Sequence, residues 1–192
     1  MLTVVKLGGS LYHSALLPDW LEQLTGLSAT QLLLIVPGGG PFADTVRKAQ
    51  QDHGFSDKTA HQMAINAMRQ FALLLNDFCP SAQLLSDLQQ PLPLTGLLIW
   101  LPDDTAMLSA DLPQSWQVTS DSLALWLAQQ LDAQQLILLK SSTISDDKIS
   151  ALTASGVLDQ HFHKQYQQRP LPCSIVEQAN VTAGFSSQID LQ

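Results

Sequence analysis

The stretch LTVVKLGGSLY, residues 2–12, decides how the chain is read. An apolar, β-branched run carries a lysine at Lys6 and passes at once into Gly8, Gly9 and Ser10. Apolar and polar residues do not alternate cleanly, which is how a strand covered on both faces reads. A second junction of the same kind stands at QLLLIVPGGGPFADTV, residues 31–46, where an apolar strand runs through Pro37 into Gly38, Gly39 and Gly40. In each case glycines fall where a strand ends and a helix begins. Such a loop brings backbone N–H groups close to an anion, and the helix start adds its positive end. Lys6 would place an ammonium at the mouth of the first loop. The plainer alternative is a tight turn beside an exposed lysine. The second loop could bring its backbone against a ligand from the other side. Asp44 and Arg47, about one turn apart, could share a helix face there or simply be solvated.

Working outward, residues 11–27 repeat apolar side chains at helical spacing, and Pro18 suits a first turn. Residues 42–54 read as a helix ended by Gly54. Residues 56–78 carry one long apolar stripe, in which Met63 and Met68 read as core filling. Residues 82–85 and 96–101 look like short strands joined by a proline-containing connector. A helix is expected from the capping pattern at 118–121 to about Leu131, then a buried strand over 135–140, a loop, a short helix ended by Gly156, and a strand over 173–177. Strand and helix alternate throughout. This predicts an α/β fold, a three-layer α/β/α sandwich with a mainly parallel central sheet.

The chain has 192 residues, 45% of them hydrophobic, enough for a sizeable core in a single domain spanning 1–192. The formal net charge is −8 with only 9 Lys plus Arg, which argues against a nucleic-acid partner. A small anionic substrate needs only two or three placed lysines. The 2 cysteines, Cys79 and Cys173, lack metal or redox spacing and read as free thiols. The absence of a membrane span or secretory leader makes a cytoplasmic protein the expectation. His161 and His163 have the spacing of one strand face, but without a third ligand no metal site is expected. Neither GxxxxGK(S/T) nor GxGxxG occurs, so neither a Walker loop nor a Rossmann dinucleotide site is supported.

The segments VVKLGGSL (4–11), IVPGGGPFADTVR (35–47) and VTSDSLALWLA (118–128) together resemble the amino acid kinase superfamily, in order and spacing, over roughly residues 1–160. The resemblance implies an ATP-dependent small-molecule kinase that uses Mg2+ and assembles as a homo-oligomer. It implies that Lys6, Gly8, Gly9, Ser10 and Ser141 hold the phosphates being transferred. Gly38, Gly39, Gly40 and Asp44 would hold the acceptor, and Asp121 would orient the lysines or approach the magnesium. A plain helix cap is the alternative for Asp121. The acceptor half would cover about 1–115 and a reduced nucleotide half about 116–192.

The chain departs from the family where a Thr-Asp-Val-Asp-Gly-like run usually follows the later strand. Here LILLKSSTISDD (136–147) lacks that run's aspartate and glycine, and Lys140 stands at its start. Lys140 is the candidate second phosphate cation, with Lys148 the weaker one. Together with ASGVLDQHF (154–162), these segments are similar to a compact subgroup of methanogens and methylotrophs that resembles the kinases of methanofuran biosynthesis. That implies a phosphate-monoester acceptor, such as aminomethylfuran-methyl phosphate. The reduced nucleotide run keeps open a non-catalytic protein of kinase fold that binds a nucleotide or a phosphorylated metabolite.

Overall fold

Residues Leu2–Leu7 form strand β1 and Leu32–Pro37 form β2, with every residue of both strands buried. The computed structural model describes residues 1–103 and 112–192. Four further strands, β3 (Gln83–Leu85), β4 (Gly96–Trp100), β5 (Gln135–Lys140) and β6 (Cys173–Glu177), join them in parallel, and the short β7 (Ile189–Asp190) pairs antiparallel with β6. The order across the sheet is β3-β4-β2-β1-β5-β6-β7. β1 therefore lies between β2 and β5, where the direction of strand succession reverses. A doubly wound sheet opens a crevice at the carboxyl ends of its strands at such a point. Both glycine loops leave from that edge.

Among the described residues the α-helices are α1 (Leu17–Ser28), α2 (Gly40–His53), α3 (Asp57–Phe78), α4 (Ser120–Gln130), α5 (Ile149–Ala154) and α6 (Phe162–Gln168). Their ends follow the expected chemistry. Pro18 stands in the first turn of α1, and Gly54 ends α2 at φ 68°. Ser56 caps α3 by accepting from the Thr59 N–H at 3.2 Å. One expectation is corrected. His161 and His163 do not share a strand face: His161 stands just before α6, without a capping bond from its side chain, and His163 lies in the first turn. The Asp159 carboxylate accepts the N–H groups of His161 and Phe162, which bends the chain into a turn there.

Side chains alternate across the sheet, and the alternation decides where the lysines point. Val5, Leu7, Leu33, Ile35, Ile137 and Leu139 pack on one face with Trp20 and Leu24 of α1 and Phe71 and Leu75 of α3. Val4, Leu34, Val36, Leu136 and Leu138 pack on the other with Leu123, Ala124 and Leu127 of α4. Lys6 shares the parity of Val4, and Lys140 that of Leu138. In the β1–β5 register Lys6 lies opposite Leu138, so Lys140 sits two residues further along the neighbouring strand on the same face. Both lysines thus reach the first turn of α4.

Candidate active site

Asp121 occupies that first turn and is 4% exposed. Lys6 Nζ lies 2.8 Å from Asp121 Oδ1, and Lys140 Nζ is ion-paired and hydrogen-bonded to Oδ2. Lys140 also donates to the Val157 carbonyl at 2.6 Å. Two ammonium groups share one carboxylate, which leaves a surplus of one positive charge in a nearly dry place. Burial by itself pushes the Asp121 carboxyl up, but the charges and hydrogen bonds of Lys140 and Lys6 overcome it and bring it down to about 2. Burial pushes Lys140 down, and the neighbouring Lys6 adds to this against the pull of Asp121. An anion arriving beside Lys140 would relieve that cost.

The cluster opens into a cleft of about 830 Å³. Lys6, Gly9, Ser10, Gly39, Gly40, Asp44, Asp121 and Lys140 line it. Gly8, Gly38 and Ser141 lie outside that lining, and Lys148 is exposed away from it. Gly8 and Gly38 continue the sheet instead: the Gly8 N–H donates to the Leu139 carbonyl at 3.3 Å and that of Gly38 to the Leu7 carbonyl at 2.8 Å.

The two glycine loops touch. A Cβ on Gly9 would stand 2.4 Å from the Gly40 nitrogen, and one on Gly38 would stand 2.4 Å from the Gly9 nitrogen. Backbone atoms cannot swing aside, so side chains there would force the loops apart. Gly40 also has φ 52°, which disfavours other residues. Gly9→Ala is therefore expected to cost about 1–3 kcal/mol through overpacking. Gly26→Ala, inside α1 with open space around its Cβ, should instead gain roughly 0.5–1 kcal/mol. Thermal melts of the two variants check this, and equal melting temperatures would contradict the loop contact.

Trp116 and His61 line the cleft without having carried a local signal in the sequence, beside Arg47, which the sequence left between a shared helix face with Asp44 and a solvated surface. Arg47, on the exposed side of α2, holds its guanidinium carbon 3.8 Å from the centroid of the Trp116 ring, a cation–π contact. The Trp116 Nε1–H donates to Gln50 Oε1 at 2.6 Å. His61, 7% exposed on α3, also lines the cleft. Burial pushes it down, against a hydrogen bond to the backbone of Ser115. A helix-face pattern marks His61 as inward-facing, but it does not distinguish core from cleft.

Among the described residues no group of three or more His, Cys, Asp or Glu side chains could hold a metal ion, and the Asp121 carboxylate is engaged by two lysines. The described residues thus offer no protein-only cage for a metal ion. Mg2+ commonly travels with substrate phosphates and keeps several waters.

These features define a class: a parallel α/β protein with two touching glycine loops and a lysine–aspartate–lysine cluster at the switch point of its sheet. The chain belongs to the amino acid kinase family, whose sequence profile matches residues 1–147. It is 31% identical over 140 residues to the (5-(aminomethyl)furan-3-yl)methyl phosphate kinase of Methanocaldococcus jannaschii. That match spans 70% of this chain and 63% of the relative's length. The fold is similar to the uridylate kinase of Archaeoglobus fulgidus, with TM-score 0.70 and 18% identity over 100% of this chain and 98% of that one. The aspartate kinase of Synechocystis gives TM-score 0.68 and 14% identity over 93% of this chain and 38% of that one.

Proposed function

We propose that the chain transfers a phosphoryl group from ATP, presented with Mg2+, to a phosphate monoester of the aminomethylfuran-methyl phosphate type. The observation that carries this reading is the Lys6–Asp121–Lys140 cluster, held at the wall of a cleft that both glycine loops also line. Phosphoryl transfer asks a protein mainly for positioning and for charge stabilisation on the transferring oxygens. Lys6 supplies the charge beside Gly9 and Ser10. Asp121 holds both ammonium groups in place, so little reorganisation remains at the moment of reaction. Lys140 answers a second phosphate. An acceptor phosphate with a second pKa of about 6 is mostly ionised at neutral pH, so it attacks without a strong side-chain base. The furan acceptor is the substrate of the Methanocaldococcus relative by its name, and Arg47 and Trp116 offer a cation and a ring face at the cleft's acceptor side.

The test is ADP release and 31P NMR with aminomethylfuran-methyl phosphate, UMP, aspartate and the dephosphorylated furan alcohol. A new diphosphate product from the furan phosphate is expected. Binding of ATP and acceptor without any turnover would favour the non-catalytic reading.

Lys140→Met keeps the aliphatic length and removes the charge. We expect it to weaken binding of ATP or of the acceptor about ten- to a hundredfold, as loss of a charge-assisted contact does. Thermal stability should change little, because burial already works against this ammonium. Calorimetric titration of each ligand against both proteins reads which phosphate Lys140 meets. Unchanged affinity for both, with unchanged turnover, would remove Lys140 from the site.

A further inference from the structure

Asp159 is remote in sequence from the lysine cluster, yet its carboxylate gathers the elements that build it. Oδ2 accepts from the Thr119 N–H at 2.9 Å, the Thr119 hydroxyl at 2.9 Å and the Ser122 N–H at 3.0 Å. Oδ1 accepts from the Ser122 hydroxyl, the His161 N–H at 3.2 Å and the Phe162 N–H at 3.1 Å. The donors Thr119 and Ser122 bracket Asp121 in the first turn of α4. Thr119 stands at the helix-capping position, yet its own side chain caps nothing. It turns its hydroxyl to Asp159 instead, so the cap of α4 comes from 40 residues away.

The other end of this arrangement is Lys140. Its ammonium donates to the Val157 carbonyl, two residues before Asp159. Leu158 between them is buried in the core, with its N–H on the Leu152 carbonyl at 3.1 Å. The segment from Val157 to Asp159 thus runs from a lysine contact, through a core anchor, to the cap of the helix that bears Asp121. The charge of Asp159 also acts favourably on Lys140. An ordinary cap serves one helix end. This carboxylate joins the α4 start, the α6 start and the segment over Lys140, and all of these except α6 line the cleft.

We infer that Asp159 is a positioning residue of the phosphoryl-transfer site, clamping the Asp121-bearing turn of α4 against the segment whose Val157 carbonyl holds Lys140. The inference rests on the kinase reading only in its kinetic arm. Its structural arm, the protection of Lys140, is read without activity.

Two variants are compared in the full chain. Asp159→Asn replaces one acceptor oxygen by an NH2 group that faces N–H and O–H donors. Ser56→Ala removes the cap of α3 at a residue that is not itself in the cleft lining, and controls for the general cost of losing a cap. Both should lower the melting temperature, as cap losses do. Each protein is treated with an amine-acetylating reagent, and modification of Lys140 is followed by peptide mass spectrometry, with the exposed Lys58 and Lys164 as internal standards. We expect Lys140 to be modified at least about fivefold faster in Asp159→Asn and at an unchanged rate in Ser56→Ala, because only the first frees a charge-assisted contact. Turnover should fall about tenfold or more in Asp159→Asn with the acceptor KM within roughly threefold, the pattern of an interaction made in the transition state. If Asp159→Asn does not fold, Ser122→Ala and Thr119→Val remove one hydroxyl donor each from the same carboxylate and should show smaller shifts in the same direction. Lys140 protected as in the wild type in Asp159→Asn, or in both milder variants, would make Asp159 a cap and overturn the inference. If the wild type turns over none of the acceptors, the kinase reading fails, while the acetylation result still decides the clamp.

Discussion

Asp121→Asn should be the most damaging single substitution in the molecule. It leaves two nearly buried ammonium groups, with side chains 6% and 11% exposed, facing a neutral amide. Removing one partner of a buried ion pair typically costs about 3–5 kcal/mol, because the remaining charge stays desolvated. Turnover should fall below detection, since the amide cannot hold both lysines to their task. The pH dependence separates this from a packing defect. In the folded protein the Asp121 carboxyl lies at about 2, below its ordinary 3.8. Its contribution is therefore whole above pH 4 and is lost as pH falls from about 4 through 2, and the shift corresponds to roughly 2 kcal/mol. Asn lacks this loss, so wild type and variant should converge on acidification. On the alkaline side the variant's Lys140, which burial already pushes down, loses the opposing pull of the Asp121 charge. Its folded state then binds fewer protons than its unfolded state, and its stability should climb with pH towards 10. Urea titrations from pH 2 to 10 read both limbs. A constant gap between the two proteins would mean that Asp121 carries no charge coupling to the lysines.

Lys6→Ala should lower turnover at least about a hundredfold, equivalent to roughly 2.7 kcal/mol of transition-state stabilisation, while the fold persists. The two effects separate because Lys6 is the surplus charge. Without it, Asp121 and Lys140 remain as a matched pair, and the neighbouring Val4, Val5 and Leu7 still fill β1 on both faces. ADP release measures the first effect, and circular dichroism with a thermal melt the second. Lys6→Met, which fills the space that alanine vacates, should be as inactive as Lys6→Ala. Full activity in either variant would remove Lys6 from the chemistry. A collapse of both folds would make it a structural counter-ion instead.

The order of elements was legible because it is written in local chemistry. The apolar runs of β1, β2 and β5 are long enough to be strands covered on both faces, and Gly54 and Gly156 mark helix ends through backbone geometry of their own. Lys6 stood out for the same reason, since a cation in an apolar strand needs a partner. The partner came only from the family resemblance, which implies that Asp121 orients the lysines or approaches the magnesium; the residues themselves left a plain helix cap open. The helix over Phe162–Gln168 was missed: the two histidines suggested a strand, and the turn that starts the helix depends on one aspartate side chain.

By itself the sequence determined the alternation of strand and helix, the two glycine junctions and the lysines at or beside the ends of two apolar strands. These follow from spacing two residues apart in strands and three to four apart in helices, a property of a few neighbouring residues. Tertiary structure alone decided that the glycine loops touch, that Lys6 and Lys140 converge on one carboxylate, and that Asp159 caps a helix 40 residues away. Those contacts depend on strand order and register. The order places β5 beside β1 although more than a hundred residues intervene, and no local pattern carries that adjacency.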